Sequence, residues 1–461
     1  MTDTFSVDRR RLLQGVTGSS LLSIGSGHAA PTSATLQPLL DERLRAEGVA
    51  LVAARIDGEQ ADVATASRGA GAGPSPDALF EIGSISKTFT ALLLAEQVVR
   101  GETRLDDAVE AVLPRSLKLR DVKGAPLRWL DLATHRSGLP RLPSNLKPAQ
   151  AADPYADYGE LSLWDFVEQW QPKRERGEAY EYSNLSYGLL GHALGLRAGL
   201  PFAALLRQRV LQPLGLDGML LSEAGTASVP GLLQGHDVER RPVPRWRFEV
   251  LAGAGALLGS VRHLARYAQA ALGVLPTPLA QAFALALKPH ADGPSPDTAV
   301  GLAWQFGKLR GRSVANHDGG TFGFSSSMFL DPERRRATVV LANAFVPVTD
   351  LALHLLEPTW PLRDPAAEAR ARQAEAVALS QAQLAPLAGV YALNPNFKLT
   401  LRAQGSQLFA QATGQGEFEL FARSERLFFA RVTPLEFEFE GHPVASLVLR
   451  QAGQVLRFVR E

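Results

Sequence analysis

The chain has 461 residues, 48 basic and 47 acidic, for a net charge of +1, a balance that leaves no electrostatic footprint for nucleic acid or an anionic membrane surface. No cysteine occurs, which excludes disulfides, thiolate catalysis and cysteine–zinc sites by counting. The nine histidines show no metal-ligand spacing such as H-E-x-x-H, so no metal and no cofactor is expected, and the length suffices for two or three domains.

At the start, Asp8-Arg9-Arg10-Arg11-Leu12-Leu13-Gln14 sets paired arginines before two leucines, as a twin-arginine export signal does. A weakly apolar stretch, Gly15 to Gly25, leads to small residues around Gly27-His28-Ala29, the pattern a signal peptidase reads. The stretch is too short and too rich in Gly and Ser to span a bilayer. Residues 1–29 are therefore expected to be an export segment, with the remainder in a bacterial periplasm or secreted and no stable membrane span after removal.

Val49 to Ile56 and Ala61 to Ala66 read as strands turning at Asp57-Gly58, and Gly69 to Pro76 as a flexible connection. Next comes Phe80-Glu81-Ile82-Gly83-Ser84-Ile85-Ser86-Lys87, ahead of the apolar run Thr88 to Val99, which reads as a buried helix. If Ser84 opens that helix, Lys87 stacks one turn above it on the same face. An amine held against a hydroxyl in a low-dielectric site can take its proton. The alternative is a helix cap at Ser84 and a solvated Lys87. Ser144-Asn145-Leu146-Lys147 repeats the spacing, but Pro148 follows, so this copy reads as loop. The proline-punctuated segment 140–160 is either the edge of a substrate cleft or a plain surface loop.

Glu181-Tyr182-Ser183-Asn184-Leu185 offers a phenol and an amide two residues apart, entering a helix from Leu185 to Arg197. Pro201 suits a helix start, and Ser260 the cap of a helix through Leu272. Strands are expected at Ala303–Gly307, Ser325–Leu330 and Thr338–Asn343, with a helix at Thr349–Glu357. Asn316-His317-Asp318-Gly319-Gly320-Thr321 precedes a strand-like stretch, Phe322 to Leu330. Singly, these polar clusters are a turn and a hairpin loop; in this order they form a candidate site. His135, His192 and His263 read as structural. Strands at both ends with helices between imply an α/β fold of the α+β type, with one antiparallel sheet built from both ends and a helical insertion. The Ala-, Arg- and Glu-rich stretch 361–383 reads as a helical linker. Beyond it Phe397–Leu401, Glu417–Phe421, Leu435–Phe439 and Ser446–Leu449 alternate as in a small barrel or sandwich, with Phe409, Phe418, Phe421, Phe428 and Phe429 as its core.

S-x-x-K at Ser84, Y-x-N at Tyr182 and H-x-G at His317, in that order, resemble the signature of the class C β-lactamase-like serine hydrolases. Phe80 to Lys87 is similar to the form found in class C β-lactamases, and Leu130 to Pro140 (LDLATHRSGLP) to a segment that recurs in the group. So are Leu211–Leu216, Leu251–Ser260 and Gly301–Trp304. The resemblance covers roughly 36–360. It implies a β-lactamase/transpeptidase-like domain over 30–360, and residues 384–461 resemble the lipocalin-like barrel appended to some members. It implies an acyl-enzyme on Ser84, with Lys87 and Tyr182 sharing proton transfer, either one the base, and both needing lowered pKa values. Asn184 would orient Lys87 and the substrate, and the N–H groups of Ser84 and Gly320 would form an oxyanion hole beside Gly319. His317 stands where many relatives have lysine. Partly protonated near neutrality, it would bind an anionic substrate less well as pH rises. Asp318 replaces a hydroxyl residue and would repel a substrate carboxylate unless it points away. The implied substrates are β-lactams first. The alternatives are D-Ala-D-Ala-type cell-wall peptides or small esters, and a penicillin-binding sensor without turnover.

Overall fold

The computed structural model describes residues 33–461 except 47–48, 69–73, 115, 365–375, 395–396, 414–416, 431–434 and 452–453. Two compact units divide it, one ending at Leu362 and the other running from Arg363 to Glu461.

In the first unit an eight-stranded antiparallel sheet runs, in spatial order, Gln60–Ser67, Ala50–Asp57, Arg336–Ala342, Ser325–Asp331, Arg312–Gly320, Gln305–Leu309, Ala299–Val300 and Ala291–Asp292. The first two strands form a hairpin that pairs with Arg336–Ala342, in the register Leu51↔Ala342 to Asp57↔Arg336. The sheet is thus assembled from both ends of the domain, as the strand spacing implies.

Alternate residues of Ala50–Asp57 serve two cores. Leu51 and Ala53 pack with Val340, Ala342, Leu36, Leu40 and Leu44, under the helices Ser33–Ala46 and Thr349–Leu356. Val52, Ala54 and Ile56 pack with Val339 and Leu341 into the larger core shared with the helical insertion. Burial on both faces explains why these strands read as continuous apolar runs rather than alternating ones. Helix Ser86–Val99 lies inside the larger core, buried from Ser86 to Gln97, and Phe89 stacks on Tyr267 at 4.0 Å between centroids. No single helix among the described residues is long and apolar enough to cross a membrane.

Three local readings need revision. The H-D-G-G residues are not a hairpin loop; they end the strand Arg312–Gly320, and the turn falls at Thr321–Phe324, where Thr321 N–H donates to Phe324 O. The strand expected at Ser325–Leu330 is present as Ser325–Asp331, and only the Phe322–Phe324 part of the strand-like stretch falls in the turn. Helix Ser33–Ala46 was not read from the sequence, having a weak apolar stripe interrupted by Pro38. By contrast, Ser260 caps Val261–Ala271, its Oγ accepting from His263 N–H.

The second unit is a closed eight-stranded antiparallel barrel, Gly389–Asn394 pairing with Gln454–Arg460 to seal it. Its interior is filled by side chains including Tyr391, Leu401, Leu420, Phe428, Phe437 and Phe458. Of the five phenylalanines read as its core, Phe428 belongs there and Phe418 packs partly against it. Phe409 and Phe421 alternate with interior residues and face the other way, Phe409 under the Arg402 guanidinium at 5.0 Å and Phe421 against Phe429. Of the expected helical linker, 365–375 lie outside the described residues, 361–364 and 376–380 are irregular, and Gln381–Leu384 forms a helical turn. The segment 1–29, expected to be an export signal, also lies outside the described residues.

Candidate active site

Ser84 does not cap the helix. It sits in a 3₁₀ turn, Gly83–Ile85, that runs into Ser86–Val99, so its hydroxyl is not spent on a backbone cap. Lys87, one turn on, is fully buried. Its Nζ lies 2.9 Å from Ser84 Oγ, 2.9 Å from Asn184 Oδ1 and 2.7 Å from the Ala254 carbonyl oxygen. Burial, and then the nearby Arg141 guanidinium, hold the lysine well below its usual pKa. A solvated first-turn lysine is excluded.

Asn184 reaches Lys87 because of how its helix begins. Ser183 is the N-cap of Asn184–Ala198, its Oγ accepting from Ser186 N–H at 2.9 Å and donating to Pro140 O at 2.7 Å. Ser183 N–H in turn donates to His135 Nδ1 at 3.1 Å. This cap leaves Asn184 in the first turn and Tyr182 just outside it. Asn184 Nδ2–H donates to the Tyr155 hydroxyl at 2.9 Å, which fixes the amide so that Oδ1 faces Lys87.

The Tyr182 phenol hydrogen-bonds to Ser84. Its ring lies 4.4 Å from that of His135, with Lys87 Nζ 5.0 Å and the Arg141 guanidinium 5.3 Å from its centroid. Burial pushes this phenol up to about 12, against the Ser84 hydrogen bond and Arg141, which pull it down. The expectation of two lowered pKa values therefore holds for Lys87 and fails for Tyr182.

The strand Arg312–Gly320 forms the opposite wall. Along a strand, side chains alternate between faces. His317 and Gly319 point to the nucleophile side, where a Cβ on Gly319 would come within 2.2 Å of the Ile82 carbonyl oxygen. Gly83, at φ +51, meets the same strand, its Cβ position only 2.6 Å from Gly320 N. These glycines let the Gly320 amide approach Ser84. Asp318 turns to the far face, where Ser327 Oγ and Thr349 Oγ1 donate to its carboxylate at 2.6 and 3.0 Å. The carboxylate is thereby turned from the Ser84 side and held by two hydroxyls, though its charge still acts on Tyr182. His317 is buried with its ring 6.3 Å from that of Tyr182. Burial, then Lys87, push it down to about 3. It is neutral throughout the physiological range, contrary to the expected titration near neutrality.

All seven residues singled out from sequence thus come together around Ser84 and the end of the strand Arg312–Gly320. Sequence reading missed Glu81, Arg141, Tyr155, His135 and the Ala254 carbonyl. Glu81 lies within the Phe80–Lys87 motif, and a carboxylate between two apolar residues was its signal. Its Oε1 accepts from Trp246 N–H at 2.8 Å, its carboxyl hydrogen-bonds Thr321, and burial pushes it up to about 7. Arg141 and Tyr155 come from the 140–160 segment, which does edge the crevice, whereas Ser144 and Lys147 stay in its loop.

The sequence pattern of the Beta-lactamase family matches residues 34–356. Similar proteins include a β-lactamase of Yersinia enterocolitica, 35% identical over 185 residues, 40% of this chain and 44% of that one. The unguisins hydrolase of Aspergillus campestris is 28% identical over 288 residues, 58% of this chain and 53% of the relative. The chain spans about half the length of these curated relatives. The octameric penicillin-binding protein homologue from Pyrococcus abyssi shares the fold at a TM-score of 0.61 and 20% identity, over 93% of this chain and 99% of that one. With 34–356 matched, the chain belongs to the Beta-lactamase family.

Proposed function

We propose that this chain is an exported serine hydrolase that forms an acyl-enzyme on Ser84, with Lys87 as the base. The observation that carries this reading is the coordination of Lys87 Nζ. A neutral amine has two hydrogens and one lone pair. Asn184 Oδ1 and Ala254 O can only accept, so they take both hydrogens and leave the lone pair for the Ser84 hydroxyl.

Ser84 Oγ bonds to the substrate carbonyl carbon while its proton passes to Lys87. The oxyanion forms between the Ser84 and Gly320 N–H groups, each donor contributing about 3 kcal/mol. The bond to the leaving nitrogen or oxygen breaks as Tyr182 gives that atom its phenolic proton, and Lys87 returns a proton to Tyr182. Water then repeats the sequence in reverse, with Lys87 accepting its proton, and releases the acid. A phenol that keeps its proton at neutrality suits the donor role, which is why Lys87 is assigned the base.

The first substrate reading is a β-lactam, supported by the Phe80–Lys87 motif, by the names of similar proteins and by Asp318 facing away. D-Ala-D-Ala-type peptides or small esters are the second; of these, small esters without a carboxylate beside the scissile bond are favoured by a neutral His317 where many relatives carry a cation. The arginine pair at Arg9-Arg10 supports periplasmic or secreted placement. The test incubates wild type, Ser84→Ala and Ser144→Ala with a chromogenic cephalosporin, an N-acyl-D-Ala-D-Ala peptide and p-nitrophenyl acetate. Turnover lost in Ser84→Ala alone supports the acyl-enzyme; stoichiometric labelling without turnover selects a sensor; equal activity in Ser84→Ala refutes the reading.

A further inference from the structure

His135 keeps a costly conformation for a buried residue. Its φ is +58, in the left-handed region that glycine occupies without steric penalty. Its Nδ1 accepts from Ser183 N–H at 3.1 Å. A nitrogen that accepts carries no hydrogen, so the ring is neutral and its one N–H is on Nε2. Nε2 is buried with no hydrogen-bond partner among the described residues, and the imidazole lies among the rings of Tyr180, Tyr182 and Tyr187. Left-handed backbone and an unsatisfied donor both cost stability, and such costs gather where function requires them. What they secure is the Tyr182 segment. The His135 carbonyl accepts from Glu181 N–H at 2.8 Å, the imidazole lies against the Tyr182 ring at 4.4 Å between centroids, and Nδ1 holds Ser183 N–H. Three consecutive residues thus rest on one. Asn184 has separate anchors in Arg141 O, which accepts from its backbone N–H at 3.0 Å, and in the Tyr155 hydroxyl.

We propose that His135 is a positioning residue for Tyr182: it aims the phenol at the leaving atom, so that losing its side chain slows leaving groups that need a proton and spares those that do not. This rests on the acyl-enzyme reading, in which Tyr182 donates and Lys87 is the base. Lys87 keeps contacts of its own, to Ser84 Oγ, Asn184 Oδ1 and Ala254 O, so attack by Ser84 depends on His135 far less than proton delivery does. A p-nitrophenolate departs as the anion, whereas an alkoxide must be protonated as it leaves. The leaving group therefore reports where the phenol stands.

The experiment compares kcat/KM, which covers the steps through acylation, for p-nitrophenyl acetate and benzyl acetate. His135→Gly removes the imidazole and suits the left-handed backbone; His135→Asn returns an acceptor at the place of Nδ1 and also tolerates that backbone. Misplacing a catalytic group by about 1 Å costs on the order of 10²-fold, so His135→Gly should lose about that much on benzyl acetate and at most about threefold on p-nitrophenyl acetate. His135→Asn should recover most of the loss. Tyr182→Phe should show the same selective loss, and adding His135→Gly to it should cost nothing further on benzyl acetate, because the two residues act as one unit. Each comparison of the two esters comes from one preparation, so a partly folded variant leaves it interpretable. Phenyl acetate replaces benzyl acetate if the latter is not cleaved. Equal losses on both esters, no recovery in His135→Asn, or losses that add to those of Tyr182→Phe mark a structural role and overturn the proposal. Hydrolysis of p-nitrophenyl acetate surviving in Ser84→Ala would instead remove the acyl-enzyme reading, a distinct failure.

Discussion

Gly83→Ala tests whether the oxyanion donors depend on the approach of two backbone segments. A methyl at residue 83 would sit 2.6 Å from Gly320 N, 3.0 Å from its O and 3.1 Å from its C. Ordinary van der Waals contact begins at 3.4 Å, so one segment must retreat by 3.4 − 2.6 = 0.8 Å. The neighbour is backbone at the end of a strand, paired with Ser325, and cannot rotate away as a side chain would. Residue 83 also has φ +51, where a β-carbon costs roughly 1–2 kcal/mol. Displacing a catalytic group by about 1 Å costs on the order of 10²-fold in rate. The expected result is a kcat/KM on p-nitrophenyl acetate about 100-fold lower, with a stability loss of roughly 2–4 kcal/mol from strain plus overpacking. Gly58→Ala separates the two causes. Gly58 has φ +58 in the first hairpin turn, and nothing lies within 4 Å of its Cβ position. It should lose only about 1 kcal/mol, the conformational part, and keep full activity. Paired urea unfolding and steady-state kinetics decide the matter. Activity in Gly83→Ala within threefold of wild type would refute the proposed oxyanion geometry.

Lys87→Met should lower kcat/KM by about 10³-fold or more, within the range for removing a general base. In the wild type, the acylation rate should rise with pH through the depressed lysine pKa and level off well below 10.5; a rate still rising at pH 10 would exclude a neutral Lys87. Glu81 has a folded pKa of about 7 against an ordinary 4.5, so the folded state holds the extra proton between those values. Its stabilising contribution is fully present below pH 4.5 and is lost as pH rises through 7, by roughly 3 kcal/mol at most. Urea titrations at pH 5 and pH 8 should show that slope in wild type and not in Glu81→Gln; parallel slopes would reject it. Phe437→Ala, fully buried in the barrel interior, should destabilise that unit by about 3–5 kcal/mol, read by near-ultraviolet circular dichroism and limited proteolysis.

The Ser84–Lys87 pair was legible because its spacing sets the two one turn apart, and because Thr88–Val99 is apolar all round, as a buried helix is. The sheet followed from strands at both ends of the domain. The barrel's strand period was visible, but which face of each strand turned inward was not: Phe409 and Phe428 look equivalent until closure assigns them opposite sides.

Composition and order by themselves determined that a hydroxyl, an amine, a phenol, an amide and an imidazole occur in motifs suited to one reaction, and that the scaffold mixes a sheet with inserted helices. Tertiary structure alone decided their protonation and direction. Lys87 loses affinity for its proton because chain distant in sequence encloses it, and Tyr182 holds its own for the same reason. Asp318 leaves the crevice because strand alternation and the hydroxyls of Ser327 and Thr349 place it on the far face. His317 is held neutral by burial and by Lys87, and a neighbouring carbonyl fixes its one hydrogen on Nδ1. Solvation and long-range contacts govern such properties, and neither is written in the spacing of residues along the chain.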